Sequence, residues 1–236
     1  MRGGRYGVDA AGRRARRGCA SQMPTIDEIT IADEPGNWAE LGFRVDDGCC
    51  EIAGVRLRLA GRSAGEGITG WSLRELTGVQ LDGLATSRSA APVRPAAPVH
   101  PNGVLAIDHV VAISPDFPRS VAALERAGLD LRRVREEPTP AGAPRQAFFR
   151  LGDEILELVQ EPEEIVERDG GAGRPVRFWG LALLVDDLDG TVEQLAPHAP
   201  PARAAVQQGR RISTLRRSAG LAVPIALMSR AEEVVR

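Results

Sequence analysis

Ile107-Asp108-His109-Val110-Val111-Ala112 is the stretch that decides the fold, because its pattern recurs in the chain. It is a β-rich run, and Asp116 followed by Pro118 then marks the start of a helix. The same order returns at residues 178–185, where another β-rich run is followed by Asp187 as the helix cap. A strand followed by a capped helix is therefore a repeated unit.

The spacing fixes the register between these copies. Seven residues separate His109 from Asp116, and seven also separate Gly180 from Asp187. A weaker copy begins at Ile26-Asp27-Glu28-Ile29-Thr30-Ile31. Each copy continues with three strand-like runs separated by turn residues, so each predicts the order βαβββ.

The pattern predicts three modules and their connectors. In the first module the runs after the helix lie at residues 43–45, 51–59 and 68–73. The second and third modules are expected to pair as one unit, residues 104–230. The predicted boundaries are a disordered basic tail (1–23), a module (24–83), an Ala/Pro-rich linker (84–103), a module (104–161), a linker (162–176) and a module (177–230).

Charge and composition exclude several classes of protein. Six arginines and one acid give residues 1–23 a net charge of +5; since the whole chain carries −2, the remainder carries −7. An acidic body argues against nucleic acid as the main partner. No apolar run is long enough for a membrane span, and the tail has no apolar segment typical of a secretory signal. The sequence therefore predicts a cytoplasmic protein with no membrane or nucleic-acid partner.

The usual sequence signatures of catalysis are missing in the structural context that they need. There is no P-loop, and the matches to G-x-S-x-G (residues 61–65) and G-x-G-x-x-G (residues 65–70) lead into the strand-like run 68–73, where both motifs require a helix. With three histidines, a Ser–His–Asp triad has little support. Three cysteines, two of them adjacent, form neither a disulfide framework nor a zinc-type spacing.

Tandem βαβββ modules resemble the vicinal oxygen chelate superfamily, which includes glyoxalase-like domains, extradiol dioxygenases and bleomycin-resistance-type binding proteins. The resemblance rests on residues 107–111, 151–158 and 183–189; it covers 105–229 well and 24–83 more weakly. It implies an α+β fold in which curved mixed sheets form a cup with helices outside. Metalloenzymes of this superfamily hold one divalent ion there, with ligands from the first and last strands of two modules.

The resemblance places two candidate catalytic residues in the cup. His109 lies on the opening strand of the second module and Glu157 on its closing strand, where the superfamily places ligands. In the third module the matching positions are Gly180 and Ala226, or Ile225 if the alignment shifts by one. None of these can bind a metal, so no cofactor is expected, although a divalent metal held by His109 and Glu157 remains an alternative.

Three interpretations of His109 and Glu157 stay open. They form a hydrogen-bonded pair that contacts an organic ligand, a metal site with further ligands, or a structural pair without a ligand. Glu28 matches His109 in the first module, but the closing strand there offers Gly70 or Trp71 at the ligand position.

Further candidate ligand-binding residues lie near strand ends. Guanidinium groups bind carboxylates or phosphates bidentately, and an indole can stack on a ligand. The alternative is that these arginines are solvated strand ends and that the tryptophan belongs to the core. The candidates are Arg145, Trp179, Arg210 and Arg211.

Three functions compete at this point. The first is a glyoxalase-like protein that binds a small organic metabolite in a pocket with a degenerate metal site. The second is a lyase, isomerase or dioxygenase of the same superfamily, with a metal or with His109 and Glu157 as general base and acid. The third is an interaction module with a closed pocket. A homodimer is a further expectation, because three modules leave the first without a partner.

Deletion of residues 1–22 should leave the melting temperature of the protein unchanged within about 2 °C. The segment has no apolar periodicity, so it contributes no buried surface to offset the entropy of ordering. Differential scanning calorimetry of the full and shortened chains measures this. A fall of many degrees in the shortened chain would show that the tail packs on the body.

Overall fold

The computed structural model describes residues 23–95, 98–138 and 142–231, and these form an α+β fold with two mixed sheets. The predicted fold class is confirmed. The strands are β1 (Thr25–Ile31), β2 (Cys49–Ile52), β3 (Val55–Leu59), β4 (Ile68–Arg74), β5 (Thr86–Arg88), β6 (Val104–Ser114), β7 (Asp130–Arg135), β8 (Gln146–Leu151), β9 (Glu154–Gln160), β10 (Arg177–Val185), β11 (Arg203–Ala204), β12 (Arg211–Thr214) and β13 (Ile225–Met228). The helices are α1 (Pro35–Glu40), α2 (Phe117–Arg126), α3 (Glu163–Arg168) and α4 (Leu188–Gln194).

The eight-stranded sheet consists of two βαβββ modules side by side. Its strand order is β11-β12-β13-β10-β6-β9-β8-β7. In each module the first and last strands pair in parallel, β6 with β9 and β10 with β13. The two first strands pair antiparallel at the centre, where Val110 faces Leu181. This pair marks an approximate twofold axis that relates the modules.

The five-stranded sheet repeats that plan on a smaller scale. Its order is β2-β3-β1-β4-β5. Strand β1 is parallel to β3 and antiparallel to β4, and β4 is parallel to β5. These strands therefore correspond in order and direction to β8-β9-β6-β10-β13 of the large sheet.

This topology corrects the prediction for the first module. Residues 43–45 form no strand, and the strand that closes the module is β3 rather than residues 68–73. Strand β4 instead begins a second, reduced module that contains only β4 and β5. Because this second module lies in the same chain, the first module already has a partner. The unpaired module that motivated the homodimer is therefore absent from the described part of the chain.

The predicted linkers carry more structure than their composition indicates. Residues 84–103 contain β5, and Arg94 binds both the backbone and the carboxylate of Asp27. Residues 162–176 contain α3. Residues 96–97 of the first linker and residues 1–22 of the predicted tail lie outside the described residues. A proline-rich segment can therefore contact the rest of the protein through side chains such as Arg94, in regions where it forms no strand.

The two sheets share one hydrophobic core on the faces that carry the helices. Trp71 of β4 meets Phe178 of β10 edge to face, with ring centroids 5.2 Å apart. Buried Asp33 accepts hydrogen bonds from the indole of Trp38 and from the backbone N–H of Ala222, so its carboxylate links the two halves. The faces opposite the core remain free to form a site.

One extra residue in the first strand of each sheet redirects the side chains. In β6, Ile107 pairs with Leu183 and His109 pairs with Ala182, so Asp108 is a β-bulge. In β1, Asp27 lies between paired Ile26 and Glu28 in the same way. A bulge breaks the alternation of side chains, so two neighbouring residues can lie on one face. The concave face of each sheet therefore receives an aspartate together with the residue after it.

Asp27→Ala should lower the free energy of unfolding by about 3–5 kcal/mol, because it leaves buried Arg74 and half-buried Arg94 without their carboxylate. Asp27 is 6% exposed and also accepts from the Ser89 hydroxyl at 2.6 Å. Urea denaturation measures the loss.

Glu28→Ala is the matched control on the next residue. Its partner Arg58 is half exposed, so this ion pair should contribute at most about 1 kcal/mol. Equal losses in the two variants would show that the Asp27 cluster contributes no more than a surface pair.

Candidate functional site

A cleft of about 520 Å³ opens on the concave face of the eight-stranded sheet. Both modules contribute to it, because the sheet curves until its outer strands stand on opposite sides of the same opening. Its walls and floor are formed by His109, Arg133, Arg135, Glu137, Gln146, Phe148, Glu157, Arg203, Ala204, Ala205, Val206, Gln207, Gln208, Ile212 and Met228.

His109 lies between two carboxylates in this cleft. Its Nδ1 is 2.8 Å from Oδ2 of Asp108, the bulged neighbour, and its Nε2 is 3.1 Å from Oε2 of Glu157. The histidine is 8% exposed. A carboxylate accepts hydrogen bonds, so both ring nitrogens donate and the ring is an imidazolium. The structure thus brings the two predicted catalytic residues together and adds Asp108.

The pKa values agree with this protonation state. Burial lowers the pKa of His109, but hydrogen bonds to Asp108 and Glu157 outweigh it and raise the pKa to about 9. Burial raises the pKa of Asp108, but hydrogen bonds from His109 and Arg210 outweigh it and lower the pKa to about 2. At neutral pH the histidine is positive and the aspartate negative.

Arg210 extends this pair into a chain of charges. Its guanidinium lies 2.6 Å from Oδ1 of Asp108 and also donates to the carbonyl of Ser229 at 3.0 Å. Arg210 comes from the loop before β12, so the contact joins the two modules. Its role here is to hold Asp108, which in turn holds the ring of His109.

The sheet register identifies the positions that match His109 and Glu157 in the other module. The approximate axis through Val110 and Leu181 relates His109 to Gly180 and Glu157 to Ala226. A Cβ on Gly180 would lie 2.5 Å from the carbonyl oxygen of Pro224, so the backbone leaves no room for a side chain there.

This donor set does not fit the divalent metal that the superfamily would imply. Two of the four positions have no donor atom. Both nitrogens of His109 carry protons that are bound to carboxylates, whereas a metal-binding histidine is neutral. Within residues 23–95, 98–138 and 142–231, no group of three His, Cys, Asp or Glu side chains could hold a metal ion.

The other predicted ligand-binding residues lie outside the lining of the cleft. Arg145 donates to the side chain of Gln160 at 2.7 Å and stacks over Phe117, 4.9 Å from the ring centroid. Arg211 forms two hydrogen bonds, at 2.6 and 2.9 Å, with the carboxylate of Asp189. In this structure both guanidinium groups bind other parts of the protein.

Trp179 is neither in the core nor in the lining of the cleft. It is 47% exposed and lies in a bulge of β10, with the guanidinium of Arg177 5.5 Å from its ring centroid. The sequence could not show which face of the sheet carries this indole, because the bulge at Trp179 changes the direction of its side chain.

The sequence interpretation missed the arginines on the outer strands. Arg133 and Arg135 of β7 and Arg203 of β11 line the cleft. Alternation along β7 places the first two on one face, which was a usable signal. A charged residue on an edge strand normally faces solvent, however, and only the curvature of the sheet turns this edge into a wall.

The small sheet carries the same cross-strand pair with its charges exchanged. Glu28 occupies the position of His109, and Arg58 on β3 occupies the position of Glu157. The two side chains form a bidentate ion pair with both N–O distances at 2.8 Å. Arg58 replaces the Gly70 or Trp71 expected from the sequence, because β3 rather than β4 closes this module.

A cavity of about 800 Å³ beside the small sheet is larger, but its cations are occupied. Arg58 binds Glu28, Arg56 binds Glu51, and Arg44 donates to the carbonyl of Val99. His100 accepts from the backbone N–H of Arg44 and contacts the carbonyl of Glu51, which anchors the linker. The cleft of the large sheet is therefore the better candidate site.

Comparisons with solved structures identify the fold. A fusion protein described as xylose isomerase-like TIM barrel/4-hydroxyphenylpyruvate dioxygenase matches with a TM-score of 0.56 and 11% identity, over 90% of this chain and 50% of that one. This likeness shows that the two proteins share a fold. The match spans both sheets, so the small sheet belongs to the same architecture as the large one.

Other matches cover only about half of the chain. Methylmalonyl-CoA epimerase from Mycobacterium tuberculosis has a TM-score of 0.46 and 20% identity, over 56% of this chain and 92% of that one. The hypothetical protein BH1468 from Bacillus halodurans C-125 has a TM-score of 0.43 and 14% identity, over 55% and 97%. No protein-family model matches the sequence, and a search of curated proteins finds no match. None of the described helices is long and apolar enough to cross a membrane.

The stability that His109 contributes should fall as the pH rises from about 6.5 to about 9. The pKa of His109 is about 9 in the folded protein, above the ordinary value of about 6.5. The stabilisation is therefore complete below pH 6.5 and is lost as the pH rises to about 9. This difference between the two pKa values corresponds to about 3 kcal/mol in the free energy of unfolding. Urea denaturation of wild type and His109→Gln at several pH values measures the difference.

His198→Gln, outside the cleft, is the control for loss of a histidine. An NMR titration of the His109 ring gives the pKa directly. A midpoint near the ordinary value would contradict the charged arrangement of Asp108, His109 and Glu157.

Proposed function

We propose that this protein binds a small organic metabolite in the cleft of the eight-stranded sheet and that it does so without a catalytic metal. The cleft combines a charged floor at His109 and Glu157 with apolar side chains at Phe148, Ile212 and Met228. Ligand sites typically join a mainly apolar lining to a few fixed polar groups, within a volume of this order.

The main support for this proposal is that the positions where the superfamily binds a metal are unable to bind one here. Asp108 and Glu157 occupy both nitrogens of His109, and Gly180 has no room for a side chain. The charged groups that remain are held rigidly by one another, which suits recognition of a ligand more than the exchange of a proton.

An acid–base enzyme is the second candidate. His109 is an imidazolium that lines a cleft, next to a carboxylate that could receive a proton. Isomerisation or lyase chemistry without a metal would use this pair. Its pKa of about 9 makes His109 a weak acid at neutral pH, because a general acid works best when its pKa lies near the working pH.

A cytoplasmic location is part of the same proposal. Cys49 is half-buried and Cys50 buried, and both are free thiols. Free thiols are the usual state of cysteine in a reducing compartment.

The test is a thermal-shift screen of a small-metabolite library, with Ile212→Trp as the variant that fills the cleft. Ligands that stabilise wild type should lose their effect in this variant, because the indole occupies the floor beside Met228. Val134→Trp is the matched control, since it adds the same bulk to β7 outside the lining of the cleft. Ligands that stabilise wild type and Ile212→Trp equally would contradict binding in this cleft.

Metal analysis of the purified protein separates the two candidates further. We expect less than stoichiometric zinc, nickel, iron and manganese, and no effect of EDTA on the melting temperature. An equimolar metal that is lost in His109→Ala would overturn the metal-free proposal and favour a metal-dependent lyase, isomerase or dioxygenase.

A further inference from the structure

The lining of the cleft is positive, although the body of the protein is acidic. Residues 24–236 carry a net charge of −7. Around the cleft, three arginines and the His109 imidazolium face only two glutamates, which leaves an excess of two positive charges. Such an excess attracts an anionic ligand and repels a cationic one.

Two of these positive groups are already bound within the protein. His109 binds Glu157 and Asp108. Arg135 binds Glu137, with 3.0 Å between its Nε and the carboxylate. These groups are neutralised before any ligand arrives.

The other two, Arg133 and Arg203, are free. Neither guanidinium has a hydrogen bond or ion pair to any of the residues that the structure describes. Both are exposed, and both are arginines, whose planar group binds carboxylate and phosphate through two parallel hydrogen bonds. The excess of two charges therefore resides on two specific side chains.

These two arginines stand on opposite walls. Arg133 belongs to β7 and Arg203 to β11, which are the two outer strands of the sheet. Each lies directly across from an apolar residue on the next strand inward, Phe148 for Arg133 and Ile212 for Arg203. The cleft thus presents one guanidinium at each end with an apolar side chain beside it, and the paired His109 and Glu157 form the floor between them.

We infer that the ligand of this cleft is an organic dianion whose two acidic groups bind Arg133 and Arg203 and whose carbon chain contacts Phe148 and Ile212. This rests on the proposed binding function and adds the chemical class of the ligand. A monoanion would pair with only one guanidinium, and a cation would be repelled by the excess positive charge of the lining. Carboxylates and phosphates share the required chemistry, and the probes below distinguish them.

The experiment is calorimetric titration of the full chain with α,ω-dicarboxylates from succinate to sebacate. Their monomethyl and dimethyl esters and the matching alkyl bisphosphonates are the comparison probes. The variants are Arg133→Gln, Arg203→Gln and the double variant, each checked for folding by its melting temperature without a ligand. Arg132→Gln is the matched control, because Arg132 lies on the same strand, binds Asp130 and is outside the lining of the cleft.

Each single variant should weaken binding of the best diacid or bisphosphonate about tenfold or more, because one charge-assisted pair is lost. The monoester should lose only about twofold in either single variant, since its one carboxylate can use the remaining arginine, and should lose binding in the double variant. The dimethyl ester should not bind. Preference for diacids or for bisphosphonates identifies the acidic group.

Binding of the diester as tight as that of the diacid would overturn the inference. So would diacid affinities in Arg133→Gln and Arg203→Gln equal to that of Arg132→Gln. If neutral ligands sensitive to Ile212→Trp are found while no dianion binds, this inference fails and the binding function stands. If no ligand of any charge is sensitive to Ile212→Trp, both fail.

Discussion

A β-bulge at an aspartate in the first strand of each sheet is the constraint on which the site depends. In β6 the bulge at Asp108 lets the aspartate and His109 reach the same concave face, where the carboxylate fixes one nitrogen of the ring. Glu157 then fixes the other nitrogen from the neighbouring strand. Without the bulge, alternation would place Asp108 among the apolar residues on the helix side, where a charged group is costly.

The same constraint has a different outcome in the small sheet. Asp27 is also a bulged residue, but it binds two arginines, one of them from the proline-rich linker. The following residue, Glu28, binds Arg58. The two residues of the pair thus occupy matching positions in the two sheets, but the positive and negative partners are exchanged. The small sheet uses its charges to bind its own linker, whereas the large sheet leaves two arginines free in its cleft.

The sequence predicted the modules of the large sheet well because its signals are local. The spacing between His109 and Asp116 reflects strand length and a helix cap, and Asp116 does cap α2 by accepting from the N–H of Arg119. The first module was harder, because residues 43–45 resemble a strand in composition but have no neighbour to pair with. The assignment of β4 to that module failed because strand order depends on contacts distant in sequence.

The sequence by itself determined the repeated strand and helix, and its resemblance to a known superfamily implied the α+β class and placed His109 and Glu157 in one cup. The repeat follows from residue type, helix caps and strand length, which are local properties. The tertiary structure alone decided that Asp108 joins the pair, that Pro224 excludes a side chain at Gly180, and that Arg203 lies across a cleft from β7. A bulge, a close backbone approach and the curvature of a sheet arise from the packing of distant segments, and no short stretch of sequence encodes them.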